Sequence, residues 1–163
     1  NDRPKHSTMS YVPEGRTLHL IDLENLMCGA RAGFDRAIEA VLDYKSAVPV
    51  YSDDHAHVAV NPKLLVESAL VWPGAKYFAG RGTDGADKAL IDSVNNVFWI
   101  SCRYDRIVIG SGDHIFLSVV LAFRSVGIPV AVVAPNGSLS RDLASAATYV
   151  MEIPSHNEDP KQL

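Results

Sequence analysis

The chain has 163 residues, of which 47% are hydrophobic and 21% charged, a composition that fits one globular domain with a sizeable core. Its net charge of −4 argues against a broad basic face for duplex nucleic acid, and no apolar run reaches the roughly 18 residues of a membrane span. The sequence shows no secretory signal, and Cys28 and Cys102 lack a metal-ligand spacing. We therefore expect a cytoplasmic protein with buried, unreactive thiols.

The pattern of apolar residues predicts one domain over residues 16–153. Residues 1–15 carry no periodic pattern and are expected to form a flexible leader. Residues 154–163 are polar and contain proline, which is typical of a flexible tail.

Strand-like apolar runs alternate with helical patterns through the first half of this domain. We expect strands at 17–21, 57–60 and 75–79, and helices at 35–44 and 62–71. Pro62 suits the first turn of the second helix. A glycine-rich loop at 80–85 then precedes one long helix, whose apolar stripe extends from Ala86 to Phe98.

The second half continues the alternation. Strands are expected at 106–109, 129–134 and 149–153, with helices at 115–126 and 140–147. This order indicates βαβ units, and the unbroken apolar runs favour strands buried on both faces. The predicted fold is therefore α/β: a three-layer, doubly wound, mostly parallel sheet of five to six strands. In such sheets ligands bind beyond the carboxyl ends of the strands, near the point where strand order reverses.

Three of the predicted strands deliver a carboxylate to this edge. Asp22 ends the first strand, Asp87 lies just beyond the glycine loop that follows the third, and Asp113 follows the fourth. Convergent carboxylates are what a hard cation such as Mg²⁺ requires of a protein. Each acid alone is better explained as a helix cap or as a first-turn acid that favours the helix dipole. Together, beside glycine-rich turns that caps do not need, they favour a site.

Three segments at these positions resemble the motifs of the NYN domain, a group of PIN-like nucleases. They are Ile21-Asp22-Leu23-Glu24-Asn25-Leu26, Gly85-Ala86-Asp87-Lys88-Ala89-Leu90-Ile91-Asp92 and Val108-Ile109-Gly110-Ser111-Gly112-Asp113. Their order and separation resemble the family's over residues 17–151.

The resemblance implies a PIN-like fold and a ribonuclease that hydrolyses single-stranded RNA with Mg²⁺ or Mn²⁺. Carried over by motif, Asp22, Asp87 and Asp113 are the catalytic metal ligands, and Asp92 is an auxiliary ligand. Asn25 is expected to orient Asp22 or to contact a phosphate.

Other residues are candidates for the site or lie near it. Ser111, Arg81 and Lys88 are candidates for contact with substrate, although the two cations are as well explained as solvated charges. Glu24 and Asp142 are acids that the pattern does not place. Several more residues have ordinary structural explanations. We expect His114 to be exposed or to lie behind the metal ligands, and Ser140 to cap a helix. His55 and His57 are expected in a surface loop, and the rings of Trp72, Tyr77 and Trp99 are expected to be at least partly buried.

One position departs from the family pattern. Many members continue the third motif as Ser-Gly-Asp-x-Asp-Phe, whereas Ile115 stands here in place of the second Asp and Phe116 keeps the aromatic. Losing a carboxylate removes a ligand, so a single ion or weak binding is expected.

Two other functions stay open. A binding module with a decayed metal site, acting through nucleic acid or protein, agrees with Ile115 and the few basic residues. A phosphatase agrees less well, because Asp22-Leu23-Glu24 lacks the second Asp of a phosphoaspartate enzyme. The sequence also leaves a homodimer open and predicts no membrane contact.

Overall fold

A single sheet of six strands forms the centre of the molecule. It is described from a computed structural model at residues 15–29, 33–82 and 84–156. All neighbouring strands are parallel, in the order β3-β2-β1-β4-β5-β6. The strands are β1 (Thr17–Asp22), β2 (His55–Val60), β3 (Lys76–Ala79), β4 (Arg106–Gly110), β5 (Val130–Pro135) and β6 (Tyr149–Ile153).

Helices cover both faces of the sheet. One face carries α1 (Leu23–Leu26), α2 (Phe34–Ala47) and α3 (Leu65–Val71). The other carries α4 (Gly85–Asp92), α5 (Val97–Ser101), α6 (Leu117–Ser125) and α7 (Arg141–Ala146). Short 3₁₀ turns at Pro62–Leu64 and His114–Phe116 lead into α3 and α6. The predicted three-layer, doubly wound fold is therefore confirmed, with strand order reversing between β1 and β4.

Alternation along the strands divides the apolar residues between two cores. On β1, Leu18 and Leu20 pack towards α4 to α7, whereas Ile21 packs towards α1 to α3. β4 behaves in the same way, since Ile107 and Ile109 face one layer and Val108 the other. Because both faces are covered, each of these strands carries apolar residues on both of its sides.

The expected long helix after the glycine loop is wrong. The chain forms α4 and α5 instead, separated by a turn at 93–96. Two polar side chains make the break: Ser93 Oγ donates to the Leu90 carbonyl at 2.6 Å, and Asn96 Oδ1 accepts from Trp99 N at 3.1 Å as the cap of α5. As a result Phe98, expected in the buried stripe, is 77% exposed.

A buried polar network lies near the amino end of β1. The ring of His19 bonds Tyr44 Oη through Nδ1 at 2.7 Å and Asp54 Oδ2 through Nε2 at 2.9 Å. Because a carboxylate only accepts, Nε2 carries a proton. The Asp54 carboxylate also accepts from Thr17 N and Tyr51 N. This network joins β1, α2 and the loop before β2 with every Asp54 oxygen satisfied.

Residues 155–156 are held against the domain. Arg36 donates to the His156 carbonyl at 2.6 Å, and His156 Nε2 bonds Asp43 at 2.8 Å. The predicted leader at 1–14 and the remainder of the predicted tail at 157–163 lie outside the described residues. Within the described residues, no helix has the length and apolar character to cross a bilayer. The expected burial of both thiols is wrong for Cys102, which is exposed, and Cys28 is half-buried.

Candidate functional site

A polar cleft of about 490 Å³ opens at the carboxyl edge of the sheet, beside the crevice between β1 and β4. This is where a doubly wound fold is expected to bind its ligand. The acids that line it are Asp22, Glu24, Asp84, Asp87 and Asp113. Its remaining described wall consists of Asn25, Cys28, Gly29, Asn136, Gly137, Ser138 and Ser155. No lysine or arginine belongs to the described lining.

Asp22 lies at the bottom of this cleft as the last residue of β1. It is only 5% exposed, and both of its oxygens accept hydrogen bonds: Oδ1 from Asn25 N at 3.1 Å and Oδ2 from Ser111 Oγ at 2.9 Å. The first bond caps α1, so capping and a site role coexist. Each carboxylate oxygen has two lone pairs, which leaves acceptor capacity towards the cleft.

The turn after β4 is tied to the turn after β1. Gly112 N donates to Asn25 Oδ1 at 2.9 Å, and Asp113 N donates to Ser111 Oγ at 3.1 Å. Ser111 is fully buried, so it holds Asp22 and Asp113 in place and does not reach substrate as the sequence had suggested. Asp113 Oδ1 accepts from Ile115 N at 2.9 Å and caps the following turn.

The chain passes so close to Gly112, after β4, and to Gly80, after β3, that neither position has room for a side chain. A Cβ added at Gly112 would lie 2.4 Å from the Ser138 carbonyl oxygen, in the loop after β5. Gly112 O also accepts from Ser140 N at 2.9 Å. At Gly80 an added Cβ would lie 2.1 Å from the Gly85 backbone. The glycine loop therefore closes tightly onto the start of α4.

Asp87 and Asp84 reach the cleft from the start of α4. Asp87 lies in the first turn of the helix. Asp84 has a left-handed backbone with φ of 57°, and its side chain makes no capping hydrogen bond. These two acids therefore form no capping box, and both line the cleft.

Burial and mutual repulsion shift the protonation of these acids. Burial, then the charge of Asp87 and more weakly that of Asp113, raises the pKa of Asp22 to about 7, against the opposing hydrogen bonds from Asn25 and Ser111. Burial, followed by the charges of Asp113, Asp84 and Glu24, raises the pKa of Asp87 to about 6. Near neutral pH the cleft therefore binds protons that isolated carboxylates would have lost, because nothing positive in its described lining compensates the charge.

The donors in the cleft suit a hard cation. Carboxylate, amide and hydroxyl oxygens are the ligands that Mg²⁺ and Mn²⁺ take. In the part of the chain that the structure describes, however, no three His, Cys, Asp or Glu side chains are arranged closely enough to hold an ion. The acids share one cleft, and a cation would have to draw their side chains together.

Several predicted site residues lie elsewhere. Asp92 is the last residue of α4, and neither it nor Arg81 or Lys88 belongs to the cleft lining. Lys88 and Asp92 form no ion pair with each other among the described contacts. Asp142 pairs with His114 at 3.6 Å with both side chains largely exposed, away from the lining.

Ile115 contributes nothing to the cleft. It packs partly buried against the core under α6, with the fully buried Phe116 beside it. The position at which the sequence departs from the pattern that it otherwise resembles is therefore used for packing.

Sequence reasoning left Glu24 unplaced, gave Asp84 no metal role, and missed the Asn136–Ser138 wall. Asn136 and Gly137 directly follow β5, so the strand-end rule that selected Asp22 and Asp113 also applies to them. Cys28 and Ser155, whose Sγ and Oγ lie 3.7 Å apart, join the cleft through chain folding that no local pattern predicts.

Comparison with known proteins shows the fold alone. No family model and no curated protein matches the chain. A solved structure of a protein of unknown function from Vibrio parahaemolyticus is similar, with a TM-score of 0.56 and 16% identity. The match covers 85% of this chain and 92% of that one.

Proposed function

We propose that the chain is a divalent-metal-dependent ribonuclease of the NYN/PIN-like kind, acting on single-stranded RNA in the cytoplasm. The observation that carries the proposal is the gathering of Asp22, Asp87 and Asp113 in one cleft that has no cation in its described lining. Carboxylates held together at such a cost to their ionisation are a feature of functional sites. The choice of RNA as the substrate rests on the motif resemblance.

The residues that would hold the ion are Asp22, Asp87 and Asp113, with Asp84 and Glu24 within the same cleft. A divalent cation there would lower the pKa of a water molecule and offset charge on the phosphodiester. Ser111 and Asn25 keep the β1 and β4 turns in register, so that Asp22 and Asp113 face the same space. In the reaction, water oxygen bonds to phosphorus while one ester oxygen leaves with a proton.

The test is cleavage of end-labelled single-stranded RNA with Mn²⁺ or Mg²⁺, and with EDTA as the metal-free reference. We expect cleavage only with metal and a loss of at least about 100-fold in Asp22→Asn and in Asp113→Asn, because each removes a charged ligand. Asp142→Asn is the matched control, since that exposed acid lies outside the cleft. Cleavage that survives both cleft substitutions would overturn the proposal.

A second candidate is a nucleic-acid or protein binding module with the same fold. It is favoured by the lack, among the described side chains, of three ligands ready to hold an ion. RNA binding without cleavage, unchanged in Asp22→Asn and Asp113→Asn, would establish this alternative.

A further inference from the structure

A cluster of cationic and aromatic side chains lies at the opposite edge of the sheet from the cleft. Arg16 precedes β1, His55 begins β2, and Arg103 and Tyr104 come just before β4. Because all strands are parallel, these positions share the amino edge. The six residues of β1 place that edge about 20 Å from the carboxyl edge.

Two sets of contacts order the side chains at this edge. The Arg16 guanidinium lies over the Tyr104 ring, 5.1 Å from its centroid, and donates to His55 Nε2 at 2.9 Å. His55 Nδ1 is hydrogen-bonded to Tyr104 Oη. In the second set, the Arg103 guanidinium lies 4.4 Å from the centroid of the ring of Trp99, which belongs to α5. We call Arg16, His55, Phe98, Trp99 and Arg103 the amino-edge cluster.

Two guanidiniums lie at this edge, together with nearby acids. Neither Arg16 nor Arg103 forms an ion pair with any described residue. Burial lowers the pKa of His55, and the charges of the nearby Arg16 and Arg103 lower it further against the opposing charge of Asp54. Two acids are close: Asp105, whose carboxylate accepts the Arg16 backbone N–H, and the exposed Asp53, whose backbone carbonyl accepts from Arg16 Nε at 2.8 Å. Asp54 is directed inward to His19.

Two aromatic rings at the same edge are open to solvent. Trp99 is 50% exposed and Phe98 is 77% exposed, both on the short helix α5. Arg103 is exposed beside them. Planar cations stacked against exposed rings are the elements with which proteins bind bases by stacking and phosphates by ion pairing.

We propose that the amino-edge cluster is a binding surface for single-stranded nucleic acid, separate from the acidic cleft. Bases stack on Trp99 and Phe98, while Arg103 and Arg16 contact the phosphates. The rings alone would suit an apolar protein surface, but the two arginines, which have no ion-pair partner in the part of the chain that the structure describes, favour a polyanion. The surface requires no divalent ion and does not depend on the function proposed for the cleft.

The experiment uses the full chain, a fluorescein-labelled 12-nucleotide oligouridylate, low salt and EDTA, with fluorescence anisotropy as the measurement. We expect Trp99→Ala and Arg103→Ala each to weaken binding at least about fivefold, as loss of one stacking platform or phosphate contact implies. In Arg103→Ala the slope of log K against log salt should fall by about 0.7. Arg141→Ala and Leu121→Ala, which alter exposed residues on α7 and α6, are the matched controls and should bind normally.

Intrinsic fluorescence gives a second measurement. The chain has two tryptophans, and Trp72 is buried, so quenching by unlabelled oligouridylate should come from Trp99 and disappear in Trp99→Ala. Binding equal in Arg103→Ala and Arg141→Ala, or no binding at low salt, would overturn the proposal. Equal quenching by polyglutamate would assign the surface to an acidic protein and also overturn it. Binding that persists in Asp113→Asn separates this surface from the cleft.

Discussion

Asp22 and Asp54 are two buried aspartates at opposite edges of the same sheet, and their surroundings differ. Burial by itself favours the neutral form of both carboxyl groups. At Asp54 the hydrogen bonds from His19, Thr17 and Tyr51 more than offset burial, so the net pKa is lowered. At Asp22 the neighbours are further acids, and the pKa rises to about 7. The comparison separates a carboxylate whose charge is compensated by its hydrogen-bond donors from one whose charge is opposed by burial and by neighbouring acids.

The largest effect is expected from removing the compensated carboxylate. Asp54→Ala should lower the free energy of unfolding by about 3–5 kcal/mol, because it leaves His19 and two backbone N–H groups without their acceptor. Urea denaturation measures it, and Asp53→Ala, at an exposed neighbour, should change stability by less than about 0.5 kcal/mol.

The pH dependence of this difference has a defined sign. The pKa of Asp54 is lower in the folded protein than in the unfolded chain, so its ionic contribution is present above about pH 4 and is lost as the pH falls through the folded value. A stability of Asp54→Ala equal to wild type at pH 7 would show that the network contributes nothing.

The next effect tests the acidic edge with a cation. Mn²⁺ at about 100 times its dissociation constant should raise the free energy of unfolding by about 2.7 kcal/mol in the wild type. Asp113→Asn should lose most of this gain and Asp142→Asn should keep it. Thermal shift measures the effect, which should be smaller at pH 5.5 than at pH 8 because the ligands must be deprotonated. An equal shift in Asp113→Asn would place the ion elsewhere.

A smaller effect of opposite sign is expected at Asp22 without metal. The pKa of Asp22 is about 7 in the folded protein, above its unfolded value, so the wild type loses stability as the pH rises from about 4 to about 7. Asp22→Asn should therefore be more stable than wild type by about 1–2 kcal/mol at pH 8 in EDTA. The gain should vanish below pH 4. Destabilisation at pH 8 would show that the hydrogen bonds at Asp22 outweigh its charge burial.

The smallest effect concerns the hydroxyl that joins the two turns. Ser111→Ala removes a donor to the Asp22 carboxylate and leaves Asp113 N without its acceptor, at a cost of about 1 kcal/mol. The pKa of Asp22 should rise further, because the lost bond favoured the charged form. Carboxyl carbon chemical shifts followed against pH measure this change, and an unaltered midpoint at Asp22 would contradict it.

The sequence predicted the sheet well because parallel buried strands carry their own signal. Continuous apolar runs such as Val130–Pro135 identify buried strands, and the parallel order places the residues at the strand ends on one edge. The break at Ser93–Asn96 is not predicted, since the apolar spacing continues through it and only the polar side chains of Ser93 and Asn96 mark the boundary.

The site was predicted in part for the same reason. Strand-end residues such as Asp22 and Asp113 are placed by topology, whereas the burial of Ser111 depends on packing between two turns that are 89 residues apart. The wall at Asn136–Ser138 and the approach of Ser155 are set by loop paths, which local patterns do not determine.

The contact between Gly112 and the Ser138 carbonyl has a consequence for how this protein can change. The loops after β4 and β5 pack directly against each other and share a backbone hydrogen bond. A change in the path of one loop therefore requires a change in the other. In a homologue that carries a side chain at position 112, we expect the loop at 136–140 to follow a different path. The two segments should therefore vary together across species.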